Sequence, residues 1–369
     1  MTDYSADILV VGGGAAGLSA ASEAASYGAK VLIAESDLQL GGQLVKQTHK
    51  FFGSKDEYAG TRGYKIADIL LDEIRENARN VKVLTNTTVT GYYIEDGTFT
   101  VMRGEDSYAR VKARKAIVAT GASERLIPFP NNDLPGVYGA GAVQTLMNVY
   151  GVTPGRRVLM VGAGNIGLIV SYQLLQAGVE VAAVVEAMPK IGGYWVHAAK
   201  IRRLGVPILL RHSIKEAIGE KVARGAVIME LDDKFAPTGK EQKIACDVIC
   251  LAVGLSPTTE ILAQAGCKMR YVPELCGSVA ERDRTMRTSN PDFWSAGDAM
   301  GIEEASAAMV EGRIAGLCAA GSLGFPAKME KLDEYWRRLD HLRAGEVGEK
   351  IRSGIGKVSC GAWEVQGHE

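Results

Sequence analysis

Residues 6–35, ADILVVGGGAAGLSAASEAASYGAKVLIAE, decide the fold. An apolar run leads into a glycine-rich turn, an alanine-rich segment of helical length follows, and a second apolar run ends in an acid. Gly12, Gly14 and Gly17 take the glycine positions of G-x-G-x-x-G, which permit a tight turn, close approach of a pyrophosphate and close helix–strand packing. Glu35 stands 23 residues after the first glycine, where a carboxylate accepts a hydrogen bond from a ribose hydroxyl. The stretch predicts a dinucleotide-binding βαβ unit.

Residues 156–189, RRVLMVGAGNIGLIVSYQLLQAGVEVAAVVEAMP, repeat this pattern. Gly162, Gly164 and Gly167 occupy the three glycine positions, and Glu186 follows the first of them by 24 residues. The internal repeat predicts a second nucleotide-binding unit. Its uncharged part is long enough to span a bilayer, but its glycines favour a strand, a turn and a helix, so we expect no membrane span.

Composition sets broad limits on function. The 369 residues, 47% of them hydrophobic, suffice for two cores, and a net charge of −1 with mixed signs argues against a nucleic-acid partner. The N-terminal MTDYSAD carries acids where a signal peptide carries Lys or Arg, and the six cysteines form no C-x-x-C pair, so we predict a cytoplasmic protein. We expect no metal site, because four histidines lack metal-ligand spacing: His197, His212, His341 and His368.

The rest of the chain supplies further elements. Helical spacing of apolar residues predicts a helix over residues 65–77, and alternation predicts short strands between residues 81 and 118. Near the C-terminus, a short strand gives Gly297-Asp298, a loop and a helix of small residues. Residues 329–342 predict an amphipathic helix, for which docking a partner subunit and packing on its own chain are equally good interpretations.

The order of these motifs resembles that of the flavoproteins with two dinucleotide-binding domains, of the pyridine nucleotide–disulfide oxidoreductase and thioredoxin-reductase type. The matching pieces are the two fingerprints with their acids, Ala119-Thr120-Gly121, and Gly297-Asp298 before a helix; together they cover roughly residues 5–320. The resemblance implies an α/β fold of two Rossmann-like three-layer ββα/βαβ domains, with the NAD-binding domain inserted into the FAD-binding domain. The implied boundaries are 1–125 and 285–325 for the FAD domain, 126–284 for the NAD(P) domain and 326–369 for a charged helical tail.

The same resemblance implies the cofactor sites. The residues it assigns to FAD are Gly12, Gly14, Ala15, Ala16, Gly17, Glu35, Ser36, Gly42, Gln43, Val89, Ala119, Thr120, Gly121, Gly297, Asp298 and Ala305. The residues it assigns to NAD are Gly162, Gly164, Asn165, Ile166, Gly167, Glu186, Val253 and Gly254. Because a carboxylate accepts from a free 2′-hydroxyl and repels a 2′-phosphate, Glu186 favours NAD(H) over NADP(H). A vestigial second site, or one that holds an adenine nucleotide without hydride transfer, stays open.

Several residues are candidates for contacts with the cofactor rings. Gln43, Lys46 and His49 follow the Gly41-Gly42 turn on a loop that lies near the isoalloxazine in relatives, although an exposed polar surface explains them as well. A helix that begins between residues 302 and 305 is expected to point its N-terminal dipole at the pyrimidine side of the flavin. Tyr194 and Trp195, beside Gly192-Gly193, we interpret as core residues rather than nicotinamide contacts.

The chain differs from the disulfide reductases at the positions of their redox cysteines. The residues after Gly41-Gly42, QLVKQTHKFF, contain no cysteine, and neither does GAGAVQTLMN, where the thioredoxin-reductase pair would fall. Cys246 and Cys250 are expected on one face of a strand, about 13 Å apart along it, which is too far for a disulfide. A relay of electrons from flavin to disulfide is therefore not expected.

The stretches LPGVYGAGAVQTLMNVYGVTPGRRVLMVGAGNIG and TSNPDFWSAGDAMGIEEASAAMVEGRIAG resemble the α subunit of heterotetrameric sarcosine oxidase. They also resemble subunits of hydrogen cyanide synthase, opine oxidases and dye-linked L-proline dehydrogenases. The leading hypothesis is an FAD- and NAD-binding oxidoreductase subunit of an oligomeric complex that oxidises an amine, an imino acid or a similar small metabolite, and whose partner is a second flavoprotein or iron–sulfur subunit. The alternatives are a self-sufficient NADH-dependent flavin reductase that passes electrons to a ferredoxin or another carrier, and a non-catalytic nucleotide-binding scaffold.

Overall fold

The computed structural model describes residues 2–346 and 348–361. Its strands are β1 (Thr2–Val11), β2 (Val31–Ala34), β3 (Val81–Leu84), β4 (Thr87–Tyr93), β5 (Thr98–Arg103), β6 (Ser107–Val118), β7 (Ala122–Glu124), β8 (Val137–Gly139), β9 (Arg157–Val161), β10 (Glu180–Glu186), β11 (Ile208–Leu210), β12 (His212–Ile218), β13 (Gly225–Leu231), β14 (Pro237–Ala245), β15 (Val248–Leu251), β16 (Leu255–Pro257), β17 (Met269–Val272), β18 (Gly277–Ala280) and β19 (Phe293–Ser295).

The α-helices are α1 (Ala15–Ser26), α2 (Gly63–Glu76), α3 (Ala140–Gln144), α4 (Asn165–Gln176), α5 (Trp195–Arg203), α6 (Glu260–Gln264), α7 (Ala305–Ser322), α8 (Lys331–Leu342) and α9 (Glu349–Gly356). Shorter helical turns lie at Gly42–Lys46, Lys55–Glu57, Thr145–Val149, Pro273–Leu275 and Gly297–Met300. None of the helices in the described part of the chain is both long and apolar enough to cross a membrane.

The chain forms two compact units, one inserted into the other as predicted. Of the described residues, unit 1 contains those up to 123 and those from 256 onward, and unit 2 contains residues 124–255. Unit 2 begins two residues before the predicted start of the NAD(P) domain. Its predicted end, at residue 284, is wrong, because the chain returns to unit 1 at Ser256. The physical reason is burial, because Leu262 and Ala280 lie in the unit 1 core beside Phe99.

Unit 1 is built on a parallel sheet in the order β3-β2-β1-β6, to which β19 adds in parallel along the C-terminal part of β6. The long β6 also pairs antiparallel with β5, and β5 with β4, which forms a meander. Ile8 and Val10 of β1 lie in a cluster with α1, α2, α7 and α8, whereas Leu9 and Val11 lie in a cluster with the meander. Alternating side chains thus place helices on one face and strands on the other, which confirms the predicted three-layer architecture.

Unit 2 repeats this architecture with a fully parallel sheet in the order β11-β10-β9-β15-β8. Val158 and Met160 of β9 pack with α4 and α5, while Leu159 and Val161 pack with the antiparallel strands β12, β13 and β14. The internal repeat seen in the sequence is therefore a repeat of the whole sheet, with its helical layer and its meander.

Two glycines of α7 allow the backbones of α7 and α1 to touch. A Cβ atom built on Gly312 would lie 2.2 Å from the Ala16 carbonyl oxygen, and one built on Gly316 would lie 2.3 Å from the Ala20 carbonyl oxygen. No side chain fits at either position. The first turns of α1 and α7 consequently lie close together, although they are far apart in the sequence.

The tail predicted from residue 326 onward is not a separate piece. Tyr335 and Leu339 of α8 are buried in the unit 1 core, and the Tyr335 hydroxyl donates to a Glu23 carboxylate oxygen at 2.9 Å. The helix therefore packs on its own chain, as one of the two interpretations of residues 329–342 expected. His368 and the rest of residues 362–369 of the predicted tail lie outside the described residues.

We predict that Gly312→Ala and Gly316→Ala each destabilise the protein by about 1–3 kcal/mol, because the added methyl group must push two helix backbones apart. Gly356→Ala is the matched control, since nothing lies within 4 Å of a Cβ atom built there. Denaturant unfolding monitored by circular dichroism measures the effect. Equal stabilities of the Gly312 and Gly356 variants would show that α1 and α7 are not in backbone contact.

Candidate functional site

In the first glycine turn, two glycines are required by the packing of the fold and the middle one leaves space for a ligand. Gly12 has φ +102°, and a Cβ atom there would lie 2.4 Å from the Ala119 carbonyl oxygen; one on Gly17 would lie 1.9 Å from the Gly12 carbonyl oxygen. The fold itself excludes side chains at both positions. A Cβ atom on Gly14 would meet nothing closer than the Gly42 Cα at 3.8 Å, so the middle glycine leaves open space where a pyrophosphate can approach.

Hydrogen bonds fix the acid at the end of β2 against this turn. Glu35 is buried, its Oε2 accepts from the Gly13 N–H at 2.7 Å, and its Oε1 accepts from the Asp37 N–H at 2.7 Å and the Ser36 hydroxyl at 3.1 Å. A carboxylate has about four acceptor sites, so it can still accept from a ribose hydroxyl. Beside it, α1 begins at Ala15 with no side-chain cap among the described residues, which leaves its first N–H groups for an anion.

The Gly41-Gly42 pair packs against the first glycine turn. The Gly41 N–H donates to the Gly13 carbonyl oxygen at 2.8 Å, and a Cβ atom on Gly42 would lie 2.8 Å from the Gly14 Cα. We call the glycine turn, Glu35 and this pair the first cradle. The contact leaves no room for a larger residue at position 42, and Gly41 has φ +114°, a conformation that favours glycine.

The three candidate ring contacts lie on the loop that follows the first cradle. Gln43 is exposed, Lys46 is half-buried, and the half-buried His49 ring stacks on Phe51 with ring centroids 6.0 Å apart. Farther along, a Cβ atom on Gly53 would lie 3.9 Å from the Ser306 Oγ in the first turn of α7. The loop thus runs from the first cradle to the start of α7, and the roles of these side chains stay predictions.

The Gly297-Asp298 turn also reaches the first cradle. A Cβ atom on Gly297 would lie 2.9 Å from the Ala16 Cβ, at the N-terminus of α1. The Asp298 Oδ1 accepts from the Glu303 N–H at 3.2 Å, and burial raises the pKa of Asp298 to about 7. Ala305 begins α7 directly afterwards, as predicted. The Gly297-Asp298 turn, from the C-terminal part of the chain, therefore lies next to the N-terminus of α1.

The second glycine turn has the same geometry. Gly162 has φ +108°, a Cβ atom on it would lie 2.3 Å from the Ala252 carbonyl oxygen, and one on Gly167 would lie 2.1 Å from the Gly162 carbonyl oxygen. Nothing lies within 4 Å of a Cβ atom on Gly164. Glu186 Oε2 accepts from the Ala163 N–H at 2.7 Å, as Glu35 does from the Gly13 N–H.

A second pair of glycines completes what we call the second cradle: this turn, Glu186 and Gly192-Gly193. The N–H groups of Gly192 and Gly193 donate to the Ala163 carbonyl oxygen at 3.1 and 3.0 Å, as Gly41 does to Gly13. Both glycine pairs begin six residues after the acid of their cradle. This equal spacing is a sequence signal for the full repeat, and sequence reasoning noted each pair without relating them.

Several of the remaining predicted contacts lie beside the two cradles. Thr120 and Gly121 follow Ala119 beside the first turn, just as Val253 and Gly254 follow Ala252 beside the second. Three other predicted contact residues are only partly buried or lie in the first turn of α4. Val89 is half-buried on β4, Ile166 is 39% exposed in the first turn of α4, and the Asn165 side chain accepts from the Tyr194 N–H at 2.8 Å.

The prediction that Trp195 is a core residue is wrong, because its side chain is 71% exposed. The neighbouring Tyr194 is half-buried, and its ring lies 6.3 Å from that of His197. Burial lowers the pKa of His197, which disfavours its charged form. Within residues 2–346 and 348–361, no three His, Cys, Asp or Glu side chains are grouped to hold a metal ion.

Cys246, Cys250, Cys267 and Cys318 are buried and form no disulfide, and burial makes their thiols poorly reactive. Burial raises the pKa of Cys246 to about 11, and it also raises the pKa of Cys250. The expectation that these two share one face is wrong: Cys246 precedes β15 and packs with the meander, whereas Cys250 packs with the helices. Both thiols are enclosed in the core of unit 2.

Glu124 packs against the segment where the thioredoxin-reductase cysteine pair would fall. Its Oε1 accepts from the Gly141 N–H at 2.7 Å, at the start of α3. A Cβ atom on Gly139 would lie 2.3 Å from the Glu124 Oε2. A side chain at position 139 would therefore have to displace this carboxylate.

Comparisons with known proteins identify the family of the chain. The family model for pyridine nucleotide-disulphide oxidoreductases matches residues 6–312, and the chain belongs to that family. Members of this family are oxidoreductases that bind FAD and a pyridine nucleotide. The predicted family resemblance is thus confirmed.

Relatives include subunits of oxidases. The chain is 27% identical to an opine oxidase subunit of Agrobacterium tumefaciens, over 86% of this chain and 66% of that subunit. It is 28% identical to the HcnB subunit of hydrogen cyanide synthase from Pseudomonas protegens, over 95% and 79%, and 29% identical to the alpha subunit of sarcosine oxidase from Rhizobium meliloti, over 74% and 27%. The chain spans about two thirds of the length of the opine oxidase subunit.

Two solved structures share the fold. L-proline dehydrogenase from P. horikoshii has a TM-score of 0.71 at 24% identity, over 92% of this chain and 59% of that chain. T. acidophilum thioredoxin reductase has a TM-score of 0.70 at 23% identity, over 86% and 99%. Both confirm the predicted α/β architecture.

We predict that Gly14→Ala and Gly17→Ala separate binding from folding. Gly14→Ala should fold normally and bind FAD at least about tenfold more weakly, because its methyl group enters the space left for the pyrophosphate. Gly17→Ala should lose about 3 kcal/mol or more of stability through its clash with Gly12. Thermal unfolding of the ligand-free protein and fluorescence titration with FAD measure the two effects.

The matched variant in unit 2 is Gly164→Ala, which should bind FAD normally and lose NADH. Equal FAD affinity in the Gly14 and Gly164 variants would refute the assignment of FAD to the first cradle.

We predict a pH dependence of stability from Asp298. Because its pKa is raised to about 7 in the folded, ligand-free protein, the folded state binds an extra proton between about pH 4 and pH 7. The stability contributed by this proton is lost as the pH rises through that range. Asp298→Asn should flatten the decline and stabilise the ligand-free protein above pH 7, while it weakens FAD binding.

Unfolding measured across this pH range tests the prediction, with Asp72→Asn, on the exposed side of α2, as control. An unchanged pH slope in the Asp298 variant would contradict it.

Proposed function

We propose that the chain is an FAD- and NAD-dependent oxidoreductase, with FAD in the first cradle and NAD(H) in the second. The observation that carries the proposal is the duplication of the cradle, with the Gly297-Asp298 turn added to the first copy. FAD has a ribityl chain that a carboxylate beyond the pyrophosphate can recognise, and NAD has none. The first cradle therefore suits the flavin and the second suits the nicotinamide nucleotide.

Each group in the first cradle has a separate task. The N–H groups at the start of α1 bind the pyrophosphate, Glu35 accepts from the adenosine ribose, and Asp298 accepts from the ribityl chain. The N-terminus of α7 follows Asp298 and favours negative charge at the pyrimidine side of the ring. When bound, the flavin supplies hydride transfer to or from nicotinamide and single-electron release.

The second cradle favours NAD(H) over NADP(H). Glu186 is held by two backbone N–H groups, from Ala163 at 2.7 Å and Met188 at 2.9 Å, which fixes its charge where the ribose would lie. A carboxylate fixed in this way accepts from a 2′-hydroxyl and repels a 2′-phosphate.

The proposed acceptor of the electrons is not a disulfide of this chain, since the sequence lacks the redox cysteine pair of the disulfide reductases and the thiols of Cys246 and Cys250 are buried. Relatives named as subunits of opine oxidase and sarcosine oxidase point to a complex. We propose that this chain is the electron-transfer or dehydrogenase subunit of a cytoplasmic, oligomeric complex that oxidises an amine, an imino acid or a similar small metabolite. Its partner is a second flavoprotein or an iron–sulfur subunit.

We predict that the isolated chain is yellow with FAD but stays oxidised when secondary amines and imino acids are added without oxygen. The complex purified from its own host through a tag on this chain should bleach with one of them, because the partner supplies the oxidising site. Flavin absorbance under anaerobic conditions is the measurement.

Rapid reduction of a ferredoxin by NADH with the isolated chain, without any partner subunit, would favour the self-sufficient flavin reductase instead. Protein that remains colourless after addition of FAD would leave only the nucleotide-binding scaffold.

A further inference from the structure

The C-terminal segment places a buried cation beside the first cradle. Arg343 directly follows α8, is 4% exposed, and lies beyond residue 312, where the family match ends. Its Nη2 donates to the Glu303 Oε2 and to the Glu311 Oε1, both at 2.7 Å. Its Nε donates to the Glu303 oxygens at 3.0 and 3.1 Å. One guanidinium thus joins two carboxylates from different elements.

Each of these two acidic residues is hydrogen-bonded to one residue of the Gly297-Asp298 turn. The Glu311 Oε2 accepts from the Gly297 N–H at 2.9 Å. The Glu303 N–H donates to the Asp298 Oδ1 at 3.2 Å. Arg343 is therefore connected to both residues of the turn through one intermediate residue each. We call Arg343, Glu303 and Glu311 the clamp.

A second arginine balances the charge of the clamp. Arg282 is 2% exposed, and its Nη2 donates to the Glu311 Oε1 at 3.0 Å. Its backbone pairs with the C-terminal segment, since its N–H donates to the Val358 carbonyl oxygen and its carbonyl oxygen accepts from the Cys360 N–H, both at 3.0 Å. Burial alone would raise the pKa of Glu311, but Arg282 and Arg343 lower it, so the carboxylate stays ionised.

Stability alone is a weak reason for such an arrangement. Buried ion pairs seldom add net stability, because the loss of hydration offsets their attraction, whereas removal of one partner is costly. A bidentate guanidinium instead fixes the geometry of the groups it holds. In this clamp, the fixed groups are those that orient Asp298.

We propose that Arg343 is a positioning residue for the flavin, which holds Glu303 and Glu311 so that Asp298 faces the ribityl chain. This rests on the proposed function, in that FAD is the ligand of the first cradle. The C-terminal segment then completes the cofactor site from outside the part of the chain that the family model matches.

The experiment compares Arg343→Gln and Arg343→Lys with Arg338→Gln as matched control. Arg338 lies on α8, pairs with the buried Glu57 and makes no contact with the turn among the described hydrogen bonds. Arg343→Gln should weaken FAD binding by about tenfold or more, Arg343→Lys should fall between it and the wild type, and Arg338→Gln should change it less than about twofold. Fluorescence titration of the ligand-free proteins gives these affinities.

A spectroscopic measurement separates positioning from loss of stability. The visible circular dichroism of the FAD-saturated protein reports the surroundings of the ring, and it should change in the Arg343 variants and not in the Arg338 variant. If Arg343→Gln does not fold, Glu303→Gln replaces it, since this carboxylate is 16% exposed and its loss leaves the Glu303 N–H in place.

A folded variant of the clamp with wild-type FAD affinity and an unchanged spectrum would overturn the inference. Wild-type protein that binds no FAD would instead overturn the proposed function, so the two failures are distinguishable.

Discussion

The close contact between α1 and α7 is the constraint on which the rest of unit 1 depends. Gly312 and Gly316 lie directly on the backbone of α1, where any side chain would clash with the carbonyl oxygens of Ala16 or Ala20. Because the helices meet at this distance, the turn that precedes α7 is brought to the N-terminus of α1. A site that begins with the first 35 residues is in this way completed by residues after 296.

Buried charge then orders the layer of helices around this contact. Glu23 of α1 accepts from the Tyr335 hydroxyl at 2.9 Å and from Lys331 at 3.3 Å, both on α8. Arg313 of α7 lies 3.8 Å from the same carboxylate. A buried carboxylate without such partners would be costly, so α8 has one favourable position against α1 and α7. That position places Arg343, at the end of α8, next to the turn that carries Asp298.

The sequence predicts the structure correctly where residues close together in the chain determine it. The glycines of each turn, the acid 23 or 24 residues later and the small-residue helix are determined by backbone conformation and close approach within short segments. Sequence reasoning failed where burial depends on distant packing. Three predictions failed because they depend on which layer covers a segment. They concern the residue at which the chain returns to unit 1, Ser256, the exposure of Trp195, and the faces on which Cys246 and Cys250 lie. Arg343 gave no local signal, because its partners are 32 or more residues away in the sequence.

The two cradles share their backbone geometry, so the difference between their ligands must come from what surrounds them. In unit 1, the third residue of the loop that starts at Gly42 is Leu44, which is 1% exposed, and the turn with Asp298 adds a carboxylate. In unit 2, the equivalent position is Trp195, which is 71% exposed. The first cradle is therefore built into the core of its unit, which fits the proposal that it holds a flavin that stays bound. The second keeps an aromatic side chain at the surface, which fits the proposal that it holds a nucleotide that enters and leaves.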